Sequence, residues 1–172
     1  MATRSNIRVI LKEEDRDREM YFDPTLIGND SNSQYEINLN EWGKEQLSIA
    51  QSLWEHVNPN GAEALRIYHH WDGYPEGVGE TLINEYNTYE KALNLVLGGD
   101  CSTINRAYSP YALRKSEDWD TIKPQPITED CGISEEYDYM FKDGEWFVRS
   151  SYDKRCKKWT LVSKILASDE NV

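Results

Sequence analysis

Apolar and polar positions alternate over residues 5–11, with Ile7, Val9 and Leu11 on one side, and that period of two predicts a strand. The same alternation returns over 63–71. Leu65, Ile67, His69 and Trp71 share one face there, and Arg66, Tyr68, His70 and Asp72 share the other. The adjacent histidines therefore point to opposite sides. The two strands are expected to pair, which would bring Arg4 near enough to Asp72 for an ion pair. Asp72-Gly73 signals a turn, and Pro75 holds Tyr74 extended. The period then changes. Val78, Leu82 and Tyr86 recur at helical spacing through 77–86. A second helix is predicted over Tyr89–Leu97, with Ala92, Leu93, Val96 and Leu97 as its stripe, Thr88 as N-cap and Gly98-Gly99 as the stop.

Residues 137–152 predict a hairpin closed by Asp143-Gly144 in a two-residue type I′ turn. That register sets Lys142 opposite Glu145, Phe141 opposite Trp146 and Asp138 opposite Arg149, two charge-matched pairs and one aromatic pair. Residues 159–166 are read as a last strand in preference to a short helix. Upstream, Ile49, Ala50, Leu53, Trp54 and Val57 keep helical spacing, so a helix capped by Asn40 and running to about Val57 is expected, ended by Asn58-Pro59-Asn60-Gly61. Residues 12–20 alternate charge sign with no apolar face and predict a solvated loop or mobile hairpin tip. A short strand over 35–39 and a short helix over 111–115 complete the reading. The expected architecture is a single α+β domain of residues 1–172: a mainly antiparallel sheet packed by about three helices, with an inserted segment at 12–61.

Composition narrows the possible functions. The 172 residues suffice for one core, and six Trp and eleven Tyr supplement a hydrophobic content of 38%. A mean hydropathy of -0.78 with no long apolar run excludes a spanning helix, and the N-terminus lacks the apolar region of a secretion signal. A cytoplasmic protein is expected. Thirty-one acidic against nineteen basic residues give a net charge of -12, which opposes direct binding to nucleic acid or anionic membrane. It suits a partner protein with a basic surface. The acids crowd into 117–145, where Glu117, Asp118, Asp120, Glu129, Asp130, Glu135 and Glu136 are candidate partner contacts, while bases crowd into 149–164. Solvation of exposed loops is the commoner role for such runs. Cys101, Cys131 and Cys156 form no Cys-x-x-Cys pair, so buried thiols are expected, with no metal site and no cofactor. Cys156, beside Arg155, Lys157 and Lys158, would favour its thiolate if exposed.

Candidate chemistry concentrates in residues 68–79. As an enzyme, the chain would use His70 as a general base oriented by Asp72, with Tyr74 and Arg4 at the substrate of a small hydrolase. As a nucleotide-binding protein it would stack a base on Trp71 and Tyr74. The glycine spacing matches no phosphate-binding fingerprint, and Glu76 and Glu80 would repel an anion at the helix start. The commoner role of such a cluster is structural, with His69 and Trp71 filling the core and Asp72 capping the turn.

Two motifs, Met1-Ala2-Thr3-Arg4-Ser5-Asn6-Ile7 and Tyr68-His69-His70-Trp71-Asp72-Gly73-Tyr74-Pro75, resemble a family of small uncharacterised phage and bacterial proteins. Its members open Met-x-Thr-Arg-Ser and carry His-Trp-Asp-Gly-Tyr-Pro. In those relatives the two strands lie close in sequence, whereas here the 12–61 segment separates them. The resemblance implies phage or prophage company and no transferable activity. With the acidic balance it leads to the favoured expectation: a non-enzymatic phage- or prophage-type protein that binds and inhibits a host defence or nucleic-acid-handling protein, of the anti-CRISPR or anti-defence type, in the bacterial host cytoplasm.

Overall fold

The alternating strands form one mixed sheet. In a computed structural model, which describes residues 3–22, 57–101, 104 and 123–170, six strands lie in the order β3-β2-β1-β4-β5-β6. They are β1 (Ser5–Ile10), β2 (Ala64–His69), β3 (Gln125–Ile127), β4 (Tyr137–Lys142), β5 (Glu145–Arg149) and β6 (Thr160–Leu161). Only β1 and β4 run parallel; the other neighbours are antiparallel. β1 pairs with β2 as the alternation predicts, Ile7 opposite Ile67 and Ser5 opposite His69. The expected hairpin forms with all three predicted pairs. Its turn residues Asp143 and Gly144 have φ of 52° and 81°, the left-handed pair that a type I′ turn requires.

One face of the sheet is apolar and buried. Ile7, Val9, Leu65, Ile67, Tyr139, Phe141 and Val148 are nearly or wholly removed from solvent. Three helices cover that side: α1 (Glu80–Glu85), α2 (Tyr89–Leu97) and α3 (Val162–Glu170). The predicted periodicity holds here. Val78, Leu82 and Tyr86 are buried, as is the α2 stripe, and the Thr88 hydroxyl accepts from the Lys91 amide as its N-cap.

The other face is polar and still buried near its centre. Arg8 on β1 and Asp138 on β4 have fully buried side chains, with Arg8 Nη2 3.3 Å from Asp138 Oδ2. Arg149 on β5 reaches the same carboxylate oxygen at 3.2 Å. The Arg8 Nη1 donates to the carbonyls of Glu129 and Cys131. The Trp159 ring covers both guanidinium groups, 4.3 Å from Arg149 and 5.4 Å from Arg8. Burial raises the Asp138 carboxyl above its ordinary range, against the opposing pull of the two arginines.

Several expectations need correction. Residues 12–14 and 17–19 are exposed, as a solvated segment requires, but the segment is anchored at Asp15 and Met20. Glu13–Asp15 form a 3-10 turn, buried Asp15 accepts from the Tyr89 hydroxyl at 2.7 Å and from Arg18, and Met20 enters the core opposite Val57. Charge alternation concealed one carboxylate held from two sides. Residues 159–166 are strand only at Thr160–Leu161 and then helix, because Val162, Ile165 and Leu166 at helical spacing pack against the core. Cys131 is only half-buried, against the expectation, whereas the thiols of Cys101 and Cys156 are buried as expected; burial pushes Cys156 up to about 11, outweighing the cations beside it. The predicted elements at 35–39 and 111–115, and all of the 40–57 helix except Val57, lie outside the described residues.

Candidate functional site

The site grows from the turn that ends β2. Asp72 adopts φ 57°, a left-handed conformation that Asp tolerates better than most residues. The Gly73 amide donates to the Thr3 carbonyl at 2.8 Å, and the buried Tyr139 hydroxyl donates to the Gly73 carbonyl at 2.6 Å. A Cβ on Gly73 would sit 2.7 Å from the Thr3 oxygen, so only glycine permits this approach. The chain then winds through a wide π-helical turn, Pro75–Gly79, into α1. The Val78 amide returns to the Asp72 carbonyl at 2.9 Å. The turn and helix are thus pinned to the start of β1 and to β4.

This winding aligns one ridge of side chains. Glu76, Glu80 and Asn84 follow one another at i, i+4 spacing and, with Trp71, Asp72 and Glu85, border a cavity of about 280 Å³. His69 and Ile104 also contribute to its lining. Trp71 is 49% exposed and Tyr74 38%. The expectation that Trp71 points inward with His69 is corrected: β2 ends at His69, and beyond it the strand alternation no longer governs. The Glu76 carboxylate pairs with Arg155, which Asp153 also holds. Hydrogen bonds from Arg155 keep Asp153 at about 2, below its ordinary range.

The adjacent histidines do diverge. His70 is half-buried; its Nδ1 lies 2.7 Å from the Tyr68 hydroxyl and its ring meets Trp71 edge to face. The Asp72 carboxylate instead accepts from the Tyr74 hydroxyl at 3.3 Å, and the nearby charge raises the Tyr74 phenol. His70 is absent from the cavity lining that Asp72 shares. The Arg4 carbonyl accepts from the Tyr137 amide, and its exposed side chain makes no ion pair with Asp72.

His69 was expected only to fill the core, and it does more. Its Nε2 accepts from the Ile104 amide at 3.0 Å. Burial, with a smaller contribution from His70, lowers it to about 3, so the ring is neutral near pH 7. The proton must then sit on Nδ1, which has no hydrogen-bond partner among the described residues.

The acidic candidates of 117–145 separate into different roles. Glu117, Asp118 and Asp120 lie outside the described residues. Glu129 pairs with Lys142, and Asp130 is exposed. Both border a second, open cavity of about 690 Å³ with Met140, Phe147 and Trp159. Glu135 and Glu136 are half-buried, and the Glu136 carbonyl accepts from Ser150. Among the described residues, no three His, Cys, Asp or Glu side chains are placed to hold a metal ion, and no helix is long and apolar enough to cross a membrane. The sequence placed Glu76 and Glu80 together at the helix start; the addition of Asn84 and the convergence with Trp71 and Asp72 required the turn geometry. No family model, curated protein or solved structure matches the chain.

Proposed function

We propose that this is a non-enzymatic binding protein that engages a basic surface of a partner protein through the Asp72–Glu80 rim and the exposed rings of Trp71 and Tyr74. One observation carries the reading: two large aromatic rings stand exposed beside an opening bordered by four carboxylates, Asp72, Glu76, Glu80 and Glu85. Aromatic side chains are preferred anchors at interfaces, and acids around them select lysine and arginine. The net charge of -12 would speed encounter with a basic partner and disfavour nucleic acid. A narrower form of the proposal makes the partner a host defence or nucleic-acid-handling protein and the chain a phage- or prophage-type inhibitor acting in the bacterial cytoplasm. That form draws support from the motifs at 1–7 and 68–75.

The alternatives fit the geometry less well. A hydrolase would need His70 oriented by Asp72, and these groups take Tyr68 and Tyr74 as hydrogen-bond partners instead. A nucleotide would bring its phosphates to an opening bordered by carboxylates. The test is affinity capture from a bacterial lysate with the wild type and with Trp71→Ala/Asp72→Asn, followed by titration of the purified partner. Recovery of a basic protein by the wild type, and its loss from the variant at unchanged melting temperature, is expected. Equal recovery by both would refute the surface.

A further inference from the structure

Lys12, Arg16 and Lys142 border a cavity of about 320 Å³ at the Ile10 end of β1, away from the Gly73 turn. Lys142 is committed to Glu129. Lys12 and Arg16 make no ion pair among the described residues, although Glu13, Glu14 and Asp17 lie beside them in the chain and stand exposed. In a chain of net charge -12 this is a local inversion of sign. Hydrogen bonds to the backbone hold both residues in place. The Tyr89 hydroxyl accepts from the Lys12 amide at 3.0 Å and donates to the buried Asp15 carboxylate at 2.7 Å, which ties the segment to the start of α2. The Lys12 ammonium lies 4.6 Å from the centre of the Tyr89 ring. Arg16 Nε donates to the Leu11 carbonyl at 3.2 Å, and the Arg16 carbonyl accepts from the Gly61 amide at 2.6 Å. Half-buried Ile10 and Tyr89, with the more deeply buried Leu11 and Phe141, give the cavity an apolar wall. A neutral occupant would shield the two cations from water without supplying a counter-charge. A phosphate dianion would meet Glu129 and Asp143, which border the same cavity. Three cations against two carboxylates match one negative charge.

We infer that this cavity binds a small carboxylic acid as its monoanion, with a short apolar body behind the carboxylate. The carboxylate pairs with Arg16, whose planar fork matches two oxygens, and with the Lys12 ammonium. The apolar body lies against Ile10 and the Tyr89 ring. The volume lies near the lower end of small-ligand sites, which limits that body to a ring or a short chain. This site goes beyond the partner surface proposed above and stands without it, because the two lie at opposite ends of β1 and share no residue.

The probes are phenylacetate and hexanoate, with phenylacetamide as the neutral analogue, acetate as the carboxylate without a body, and phenyl phosphate as the competing anion. Titration is followed by calorimetry and by the methyl signals of Ile10 and the ring signals of Tyr89. Phenylacetate or hexanoate is expected to bind and to shift those signals, with phenylacetamide and acetate each weaker by about tenfold or more. Lys12→Gln, a change at an exposed position, is expected to weaken the bound carboxylate about fivefold or more at unchanged melting temperature. Arg16→Gln, compared only if its melting temperature is retained, should weaken it by at least as much. Tighter phenylacetate identifies an aromatic acid as the natural class and tighter hexanoate an aliphatic one; either supports the site. Phenylacetamide binding as well as phenylacetate, phenyl phosphate binding more tightly than either carboxylate, or Ile10 and Tyr89 signals unmoved at saturation would overturn it. So would unchanged affinity in Lys12→Gln, or no carboxylate binding at about 10 mM.

Discussion

A methyl group on Gly77 would sit 2.4 Å from the Asp72 carbonyl oxygen, a backbone atom that cannot swing aside. Gly77→Ala should therefore lower stability by about 1–3 kcal/mol, read as a fall in denaturant midpoint. At Gly132, where a Cβ meets nothing within 4 Å, the same change should be close to neutral. The buried pair Arg8–Asp138 is a second vulnerable point. Asp138→Asn leaves the Arg8 guanidinium without its counter-charge and should cost about 3–5 kcal/mol. Acid provides a third test. Asp153 is held at about 2, below the ordinary 3.8, chiefly by Arg155 and then by the Tyr137 hydroxyl. A depressed folded value makes this stabilisation complete above about pH 4 and lost as pH falls through 2. Asp153→Asn should melt below the wild type at pH 6, and the gap should close towards pH 2. At this scale the sequence could be read for direction but not for partnership. Alternation placed His69 and His70 on opposite faces, yet nothing in it distinguished Tyr68 from Asp72 as the partner of His70. Nor did it mark Arg8 and Asp138 as buried, because a polar position in an alternating strand is ordinarily the solvated one.

Elements with local signals were the most legible. The hairpin was readable because Asp143-Gly144 fixes the turn and the turn fixes the register; Lys142–Glu145, Phe141–Trp146 and Asp138–Arg149 follow. The Phe141 and Trp146 rings meet at 5.2 Å between centroids. Removing the turn glycine with Gly144→Ala, at φ 81°, should cost about 1 kcal/mol without altering the fold, checked by thermal melting and far-UV circular dichroism. The α2 cap was equally local. The parallel β1–β4 contact was not legible, because these strands are far apart in sequence and no turn joins them. The tail at 159–170 combines both outcomes. Thr160 and Leu161 add an edge strand, while the spacing of Val162, Ile165 and Leu166 commits the following residues to α3.

For the whole molecule, the described residues form a mainly antiparallel sheet with helices on one face and a covered polar cluster on the other. The acids are not a uniform field. Asp138 and Asp15 are buried, Glu129 is paired with Lys142, and Glu76 is paired with Arg155. The proposed recognition rests on Trp71, Tyr74, Asp72 and Glu80, which lie between the end of β2 and the start of α1. Binding through those groups should weaken as salt rises, because the carboxylates stand at the surface. The most direct test is calorimetric titration of the basic protein captured by the wild type against purified wild type and Trp71→Ala/Asp72→Asn/Glu80→Gln. The account predicts an affinity loss of about thirtyfold or more, roughly 2 kcal/mol, with unchanged melting temperature. Equal affinity of the two proteins, or a captured partner without a basic surface, would contradict it.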